Sequence, residues 1–356
     1  MRKPMPSMKL AQWPEIDRSL WANSQATGGP FDEAGRAAQW SPETLRMVES
    51  GYGVWLHWLE KTGQLDPVLR PVERVTKDRV MDFLQAYAPG RSMLTQAMAV
   101  RGLARLVRCT EPPDGLVWLT KLGDRMGNTR ERVRPKPPRL ATIRELLILG
   151  RDMFIDGAFE IESADEVQGA VMLRDGLMIL LLAARPALRR RALCALRLGE
   201  TIFLDDCDVR AELPRELIKT RHSVSFCYPR ELYPYVKYYV EMARPVLLDN
   251  AFSRNAIDEG WFWVNRRGRR IRRDYATCRI PNLIEERLGK RVSLHLFRDC
   301  AATDLAMIDP LHAGIIKDVL QHTSLKTSYD YYIQAGSARA IKRYASVLAN
   351  LRKKKR

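Results

Sequence analysis

The chain has 356 residues, 46% of them apolar and 28% charged, and its 59 Lys and Arg against 42 Asp and Glu give a net charge of +17. That length exceeds one ordinary hydrophobic core and accommodates two domains. The charge points to a polyanion or a membrane surface as the partner. The longest apolar run, Leu177 to Ala184, is eight residues, far short of the roughly 20 that a spanning helix needs, so the membrane reading is the weaker one. The N-terminus lacks the apolar stretch of a secretory signal. The six cysteines form no CxxC pair and none stands at zinc-ligand spacing from His57, His222 or His312. They read as reduced thiols of a cytoplasmic, nucleoid-associated protein, with no metal or other cofactor required.

Residues 1–39 are rich in Gly and Pro and read as a loosely ordered N-terminal extension. A helix then opens with Ser41 as cap, Pro42 in the first turn and Glu43 at its positive end. Leu45, Val48, Val54, Leu56 and Trp58 supply its apolar contacts. A second helix starts at Thr76 with Val80, Phe83 and Leu84. A third, over 92–109, sets Leu94, Met98, Leu103, Leu106 and Val107 beside Arg101, Arg105 and Arg108, and a short fourth covers 115–125. Together they make a helical domain at 40–127. The stretch 128–139, "NTRERVRPKPPR", is a proline-broken linker carrying Arg130, Arg132, Arg134, Lys136 and Arg139. It reads either as a solvated hinge or as a strap along a phosphate backbone.

The second domain covers 140–356. It opens on the capping box Thr142–Glu145, and "SADE" at 163–166 suggests another before a long apolar core helix ending near Ala184. Over 200–228 the apolar period changes to two, which predicts a small antiparallel sheet with turns at Asp205–Asp206 and Thr220–Arg221. The chain is again helical beyond it. The expected class is therefore mainly α with a small antiparallel β-sheet, in two domains.

Several scattered residues could act on a phosphate. His295 and Arg298 are three apart and would share one helix face. "LQH" ends at His322, and Tyr331 follows nine residues later, flanked by Tyr329 and Tyr332. Upstream, "ALRRRALCALRLGE" places Arg189 ahead of Leu193 and Leu196, and Lys219 falls at a predicted β-turn. In order and spacing this set resembles the catalytic domain of the tyrosine recombinase (phage integrase) family, over about 140–350. The helical first half is similar to that family's core-binding domain, without a motif of comparable specificity.

The resemblance implies a site-specific recombinase or integrase of a mobile element, in which Tyr331 attacks a DNA phosphate to form a 3′-phosphotyrosyl bond. Arg189 and Arg298 would clamp the phosphate, His322 would donate to it, His295 would help accept the tyrosine proton, and Lys219 would protonate the leaving 5′ oxygen. Arg190 and Arg191 are rivals of Arg189, and Arg185 a more distant one. The chemistry needs such helpers. A phenol with a pKa near ~10 is ionised in about one molecule in a thousand at neutral pH, and guanidinium groups stay charged and match phosphate geometry.

The resemblance further implies double-stranded DNA recombination sites as partners, a synaptic tetramer on DNA, and accessory directionality factors or a partner recombinase. The terminal stripe Ile341, Tyr344, Leu348 and Leu351 would dock on a neighbouring protomer or pack within its own domain. "NRRGRRIRRD" carries six arginines in 266–273. Of these, Arg266, Arg267, Arg269 and Arg270 join Arg101, Arg105 and the linker cations as expected DNA contacts. Two positions depart from the family pattern: Ala192 stands where an acid is usual, and Gln321 where a glycine is. The alternatives are a type IB topoisomerase-like nicking and closing enzyme, and a catalytically silent DNA-binding regulator of the same fold.

Overall fold

The structure is a computed structural model that describes residues 6–29, 32–110, 116–128, 139–163, 165–186, 188–218, 222–250, 252 and 257–308. The chain divides into two compact units, Met1–Arg134 and Pro135–Arg356.

The first unit is helical: α1 (Glu15–Ser24), α2 (Pro42–Lys61), the single turn α3 (Pro71–Arg74), α4 (Lys77–Tyr87), α5 (Met93–Thr110) and α6 (Val117–Gly127). The caps are those the sequence specifies, with Ser41 Oγ accepting from the Thr44 N–H at 3.2 Å and Thr76 Oγ1 from the Arg79 N–H at 3.3 Å. Val48, Tyr52, Trp55, Leu56 and Leu59 of α2 are buried against Val80, Phe83, Val100, Leu103 and Leu106. Gly51 and Gly102 let α2 and α5 approach: a Cβ on either would lie 3.3 Å from the other's Cα.

The described part of residues 1–39 differs from the expectation. Trp13 and Trp21 belong to this core. Asp17 of α1 makes a fully buried ion pair with Arg74 at 2.7 Å, and Tyr52 donates to the same carboxylate at 2.8 Å. The glycines and prolines of this stretch suggested disorder, but two indole rings and one buried carboxylate outweigh them by burial and pairing.

The second unit is built on the helical hairpin α7 (Ile143–Ser163) and α8 (Glu166–Ala184). Gly150 and Gly157 face Gly176 and Gly169: a Cβ on Gly150 would sit 2.9 Å from the Gly176 carbonyl oxygen, and one on Gly157 would sit 2.4 Å from the Leu173 nitrogen. The seven-residue spacing within each pair places the glycines on one stripe of each helix, and that stripe draws the two backbones together. The Thr142–Glu145 box caps α7 as predicted, with Thr142 N–H donating to Glu145 at 2.7 Å and Glu145 N–H to Thr142 Oγ1 at 3.1 Å. The second box differs: α7 runs through Ser163, and Asp165 caps α8 by accepting from the Gln168 N–H at 2.9 Å. Helix α8 is long and apolar enough to cross a membrane by composition, and here it is the buried axis of the unit.

After the short α9 (Arg190–Leu193) comes a three-stranded antiparallel sheet of order β1-β2-β3, with β1 (Ile202–Asp205), β2 (Asp208–Leu213) and β3 (Val224–Cys227). The first turn is one residue later than predicted. Asp205 pairs with Asp208, and Asp206 and Cys207 take φ of 44° and 68°, the mirror-image geometry of a two-residue hairpin. Val209, Ala211 and Leu213 must all face the core, and Ile202 opposite Ala211 fixes that register. A helical stretch follows as α10 (Tyr233–Tyr238), a π-helical turn (Tyr239–Ala243) and α11 (Arg244–Leu248), then α12 (Arg273–Leu288) and α13 (Leu296–Ile308).

Candidate active site and nucleic-acid interface

Arg189 is the N-cap residue of α9, extended at φ −86° and ψ 152°. Leu193 and Leu196, whose placement selected it from sequence, are both buried, so the short helix is keyed into the core by its leucines while the half-buried Arg189 stands at its open end. The rival Arg190 is exposed and donates to Thr277 Oγ1 at 3.0 Å. Arg191 is exposed, and Arg185 lies over the Phe226 ring with its Cζ 4.6 Å from the centroid.

Arg298 is in the first turn of α13 and only 6% exposed. Its pKa is drawn below the ordinary arginine value, first by burial and then by the positive charge of Arg189; the neighbouring Asp299 carboxylate acts in the opposite sense. Two arginines distant in sequence are thus close enough in space to repel each other. Such a pair is held by the fold at a cost, and a dianionic or monoanionic oxygen cluster between the guanidinium groups would relieve that cost. Ala192 is fully buried against the core, and Asp299, 3% exposed, supplies a carboxylate whose charge acts on Arg298.

His295 differs in detail from the expectation. It precedes α13 in a turn, with an exposed side chain, while Arg298 is buried; the two residues are linked through the Arg298 N–H, which donates to the His295 carbonyl at 3.3 Å. Lys219, His322 and Tyr331 lie outside the described residues, as do Tyr329, Tyr332, Gln321 and the terminal stripe from Ile341 to Leu351. The linker cations Arg130, Arg132, Arg134 and Lys136 lie outside them too. Among the described residues no group of three or more His, Cys, Asp or Glu could hold a metal ion.

The basic stretch 266–273 forms a tight turn. Asn265 N–H donates to the Arg269 carbonyl at 2.7 Å, Asn265 Oδ1 accepts from the Arg267 N–H at 2.8 Å, and Gly268 takes φ 70°. This self-satisfied loop presents Arg266, Arg267 and Arg269 to solvent. Arg270 behaves differently: it is half-buried, lies over Trp261 at 4.0 Å, and donates through Nε to the Cys194 carbonyl at 3.3 Å.

In the first unit, Arg101 lies across α6 in a slot made by Gly123 and Gly127, its guanidinium 3.2 Å from Asp124, and Arg105 is exposed. Leu94 and Met98 are 54% and 50% exposed. Positions 94, 98, 101, 105 and 108 recur at helical spacing on one face of α5, apolar toward its start and basic toward its end.

The sequence reasoning passed over a second buried network in the second unit. Arg174 of α8 pairs with Asp175 at 2.7 Å, donates to the Val264 carbonyl at 2.9 Å and to the Tyr275 hydroxyl at 2.5 Å, and Arg279 donates to Asp175 at 3.2 Å. The signal was present as an Arg–Asp pair inside the otherwise apolar run 169–184.

No protein-family model matches the sequence, and no curated protein matches it either. Solved structures do match in shape. The arrangement of a helical first unit and a second unit of helices around a small antiparallel sheet is the tyrosine recombinase fold. It is shared with the XerH site-specific recombinase, solved bound to a palindromic difH substrate as a post-cleavage complex, at a TM-score of 0.57 and 15% identity over 98% of this chain and 100% of that one. The XerA recombinase aligns at a TM-score of 0.36 and 14% identity over 89% of this chain and 93% of that one.

Proposed function

We propose that the chain is a DNA strand transferase, a site-specific recombinase that cuts and rejoins duplex DNA through a tyrosyl intermediate. The observation that carries this reading is the fold shared with a recombinase solved on its DNA substrate, supported by the charge of Arg189 acting on the buried Arg298. Tyr331 attacks the scissile phosphorus; its proton passes toward His295. Arg189, Arg298 and His322 hold the non-bridging oxygens as charge builds on them, each preorganised donor contributing about 3 kcal/mol. Lys219 gives a proton to the departing 5′ oxygen, leaving a 3′-phosphotyrosyl ester and a 5′ hydroxyl. A 5′ hydroxyl of a second duplex then attacks that ester, which releases Tyr331 and reseals the strand. The phosphate stays an ester throughout, so joining needs no nucleotide.

The exposed Arg266, Arg267 and Arg269, the basic end of α5 and the linker cations hold the duplex through its phosphates. Self-association into a tetramer on two duplexes is part of the same proposal.

The test uses the full chain and duplex fragments of its source genome bearing random nicks, with DNA retained on protein after detergent denaturation recovered and sequenced. Retention that is lost in Tyr331→Phe supports the reading. Absence of any covalent DNA in the unaltered chain defeats it and leaves a silent DNA-binding protein. Recovered sites, joined pairwise into recombinant junctions, separate a recombinase from an enzyme that only relaxes supercoils.

A further inference from the structure

Arg270 has the least expected environment of the cations in 266–273. Its three exposed neighbours sit on the tip of the turn, whereas Arg270 closes the turn's base through a bridge to Val264. Its guanidinium lies over Trp261, and its Nε–H is committed to the carbonyl of Cys194, the C-cap of α9. The indole of Trp261 is itself fixed: Nε1–H donates to Glu259 at 2.7 Å, and the guanidinium of Arg197 also lies over the ring, at 5.0 Å. Arg197 completes the link by donating to the Glu259 carbonyl at 2.7 Å. Backbone bonds join the same two segments, Phe262 N–H to the Leu196 carbonyl and Leu198 N–H to the Gly260 carbonyl, both at 2.9 Å.

Helix α9 is a single turn, and a single turn has little stability of its own. Its N-cap is Arg189, and its other end is the carbonyl that Arg270 holds. Arg190, one residue from the cap, is tied to Thr277 of α12. The turn is therefore gripped from one side by the segment 259–277. We propose that Arg270, stacked on Trp261, is a positioning residue for the strand-transfer reaction: it braces α9 so that Arg189 meets the phosphate beside Arg298, and it is not itself a phosphate contact. This rests on the recombinase reading. The brace assembles like charges to do so. Arg270 is held below the ordinary arginine pKa by burial first, then by Arg273 and Arg197, with Cys194 and Glu259 opposing. A lysine, without the flat face and the directed Nε–H, does not reproduce the stacking on Trp261 and the hydrogen bond to Cys194.

The experiment compares Arg270→Lys and Arg270→Gln with the turn-tip variant Arg267→Ala, in the full chain, on a duplex recovered by the covalent-capture test. Both Arg270 variants are expected to bind with affinity and salt slope unchanged, and to form the covalent complex at saturating DNA about tenfold or more slowly, as a small misplacement of a clamp group does. Arg267→Ala is expected to act on binding instead, weakening it and flattening the log–log salt slope by about 0.9. Hydrogen exchange of the peptide 190–198 should quicken in both Arg270 variants and not in Arg267→Ala. If the Arg270 variants instead lose affinity and salt slope while keeping the saturated rate, Arg270 is a phosphate contact and the brace is wrong. Unchanged exchange in 190–198 likewise overturns it. If the unaltered chain makes no covalent complex at all, the recombinase reading fails, and the exchange data alone then decide the brace.

Discussion

Arg174 and Arg298 are both buried in the second unit, at 1% and 6% exposure, yet their surroundings act on them in opposite directions. Burial disfavours the charge of Arg174, but Asp175 and then Tyr275 more than compensate, and its pKa ends above the ordinary arginine value. Burial also disfavours the charge of Arg298, and there Arg189 adds to the penalty, so its pKa ends below. The first arginine is a satisfied strut between α8, the strand-like segment at Val264 and α12. The second stands beside the like charge of Arg189, with the Asp299 carboxylate acting in the opposite sense, a setting that an anionic ligand would relieve.

The largest effect that sharpens this contrast is on stability. Arg174→Met takes its 2.7 Å partner from the buried Asp175 carboxylate and leaves it Arg279 and the Tyr275 hydroxyl, each at 3.2 Å; it should lower unfolding free energy by about 3 kcal/mol, the low end of the loss when one member of a buried pair is removed. Arg298→Met removes a charge set beside both the like charge of Arg189 and the Asp299 carboxylate, and should lower the unfolding free energy by clearly less. Denaturant melts of the two variants check both, and a comparable loss in Arg298→Met would erase the distinction.

On activity the order reverses. Arg298→Met and Arg189→Met should each slow covalent complex formation by about 10²–10³-fold with little change in DNA affinity, whereas an Arg174→Met protein kept folded should cleave at a rate close to the parent's. Single-turnover assays at saturating DNA read this directly.

A smaller effect concerns the face of α5. Arg105→Ala should weaken DNA binding and reduce the salt slope by about 0.9. Met98→Ala should leave the slope unchanged, since it carries no charge; titrations at several salt concentrations separate the two.

The smallest effect is at Asp258, which accepts from both Arg244 Nη atoms at 2.8 and 2.5 Å and from the Gly260 N–H at 2.8 Å. The hydrogen bond from Arg244 chiefly holds its carboxyl below the usual range. A depressed folded pKa contributes stability above the unfolded carboxylate value of about 4, and that stability is lost as pH falls through the lower folded value. The melting temperatures of the parent and Asp258→Asn should therefore differ modestly at neutral pH and converge in strong acid.

Much of the fold was legible because its signals are local. Ser41, Thr76 and the Thr142–Glu145 box each fix a helix start by one short-range hydrogen bond, and the alternation of Val209, Ala211 and Leu213 marks a half-buried strand. What was missed depends on partners distant in sequence. Trp13, Trp21 and Asp17 look like parts of a loose extension until Arg74 and Tyr52 are brought to them. Leu94 and Met98 fit a core pattern by type, but the face they share with Arg105 points to solvent. Arg270 is one of six arginines in its stretch, and only the tertiary approach of Trp261 and Cys194 sets it apart. At the candidate site, the leucine register set Arg189 ahead of a short buried helix, while its electrostatic reach to Arg298 and the turn that removes His295 from α13 depend on tertiary placement and were not legible.

The central claim is that Arg189 and Arg298 neutralise one backbone phosphate. The most direct measurement replaces the scissile phosphate of a recovered site with an uncharged methylphosphonate and compares the cleavage rates of the parent and Arg298→Ala on both substrates. The account predicts that the large deficit of Arg298→Ala on phosphate shrinks markedly on methylphosphonate, because the methyl group replaces one charged oxygen and the transition state carries one negative charge fewer. An equal deficit on the two substrates would contradict it.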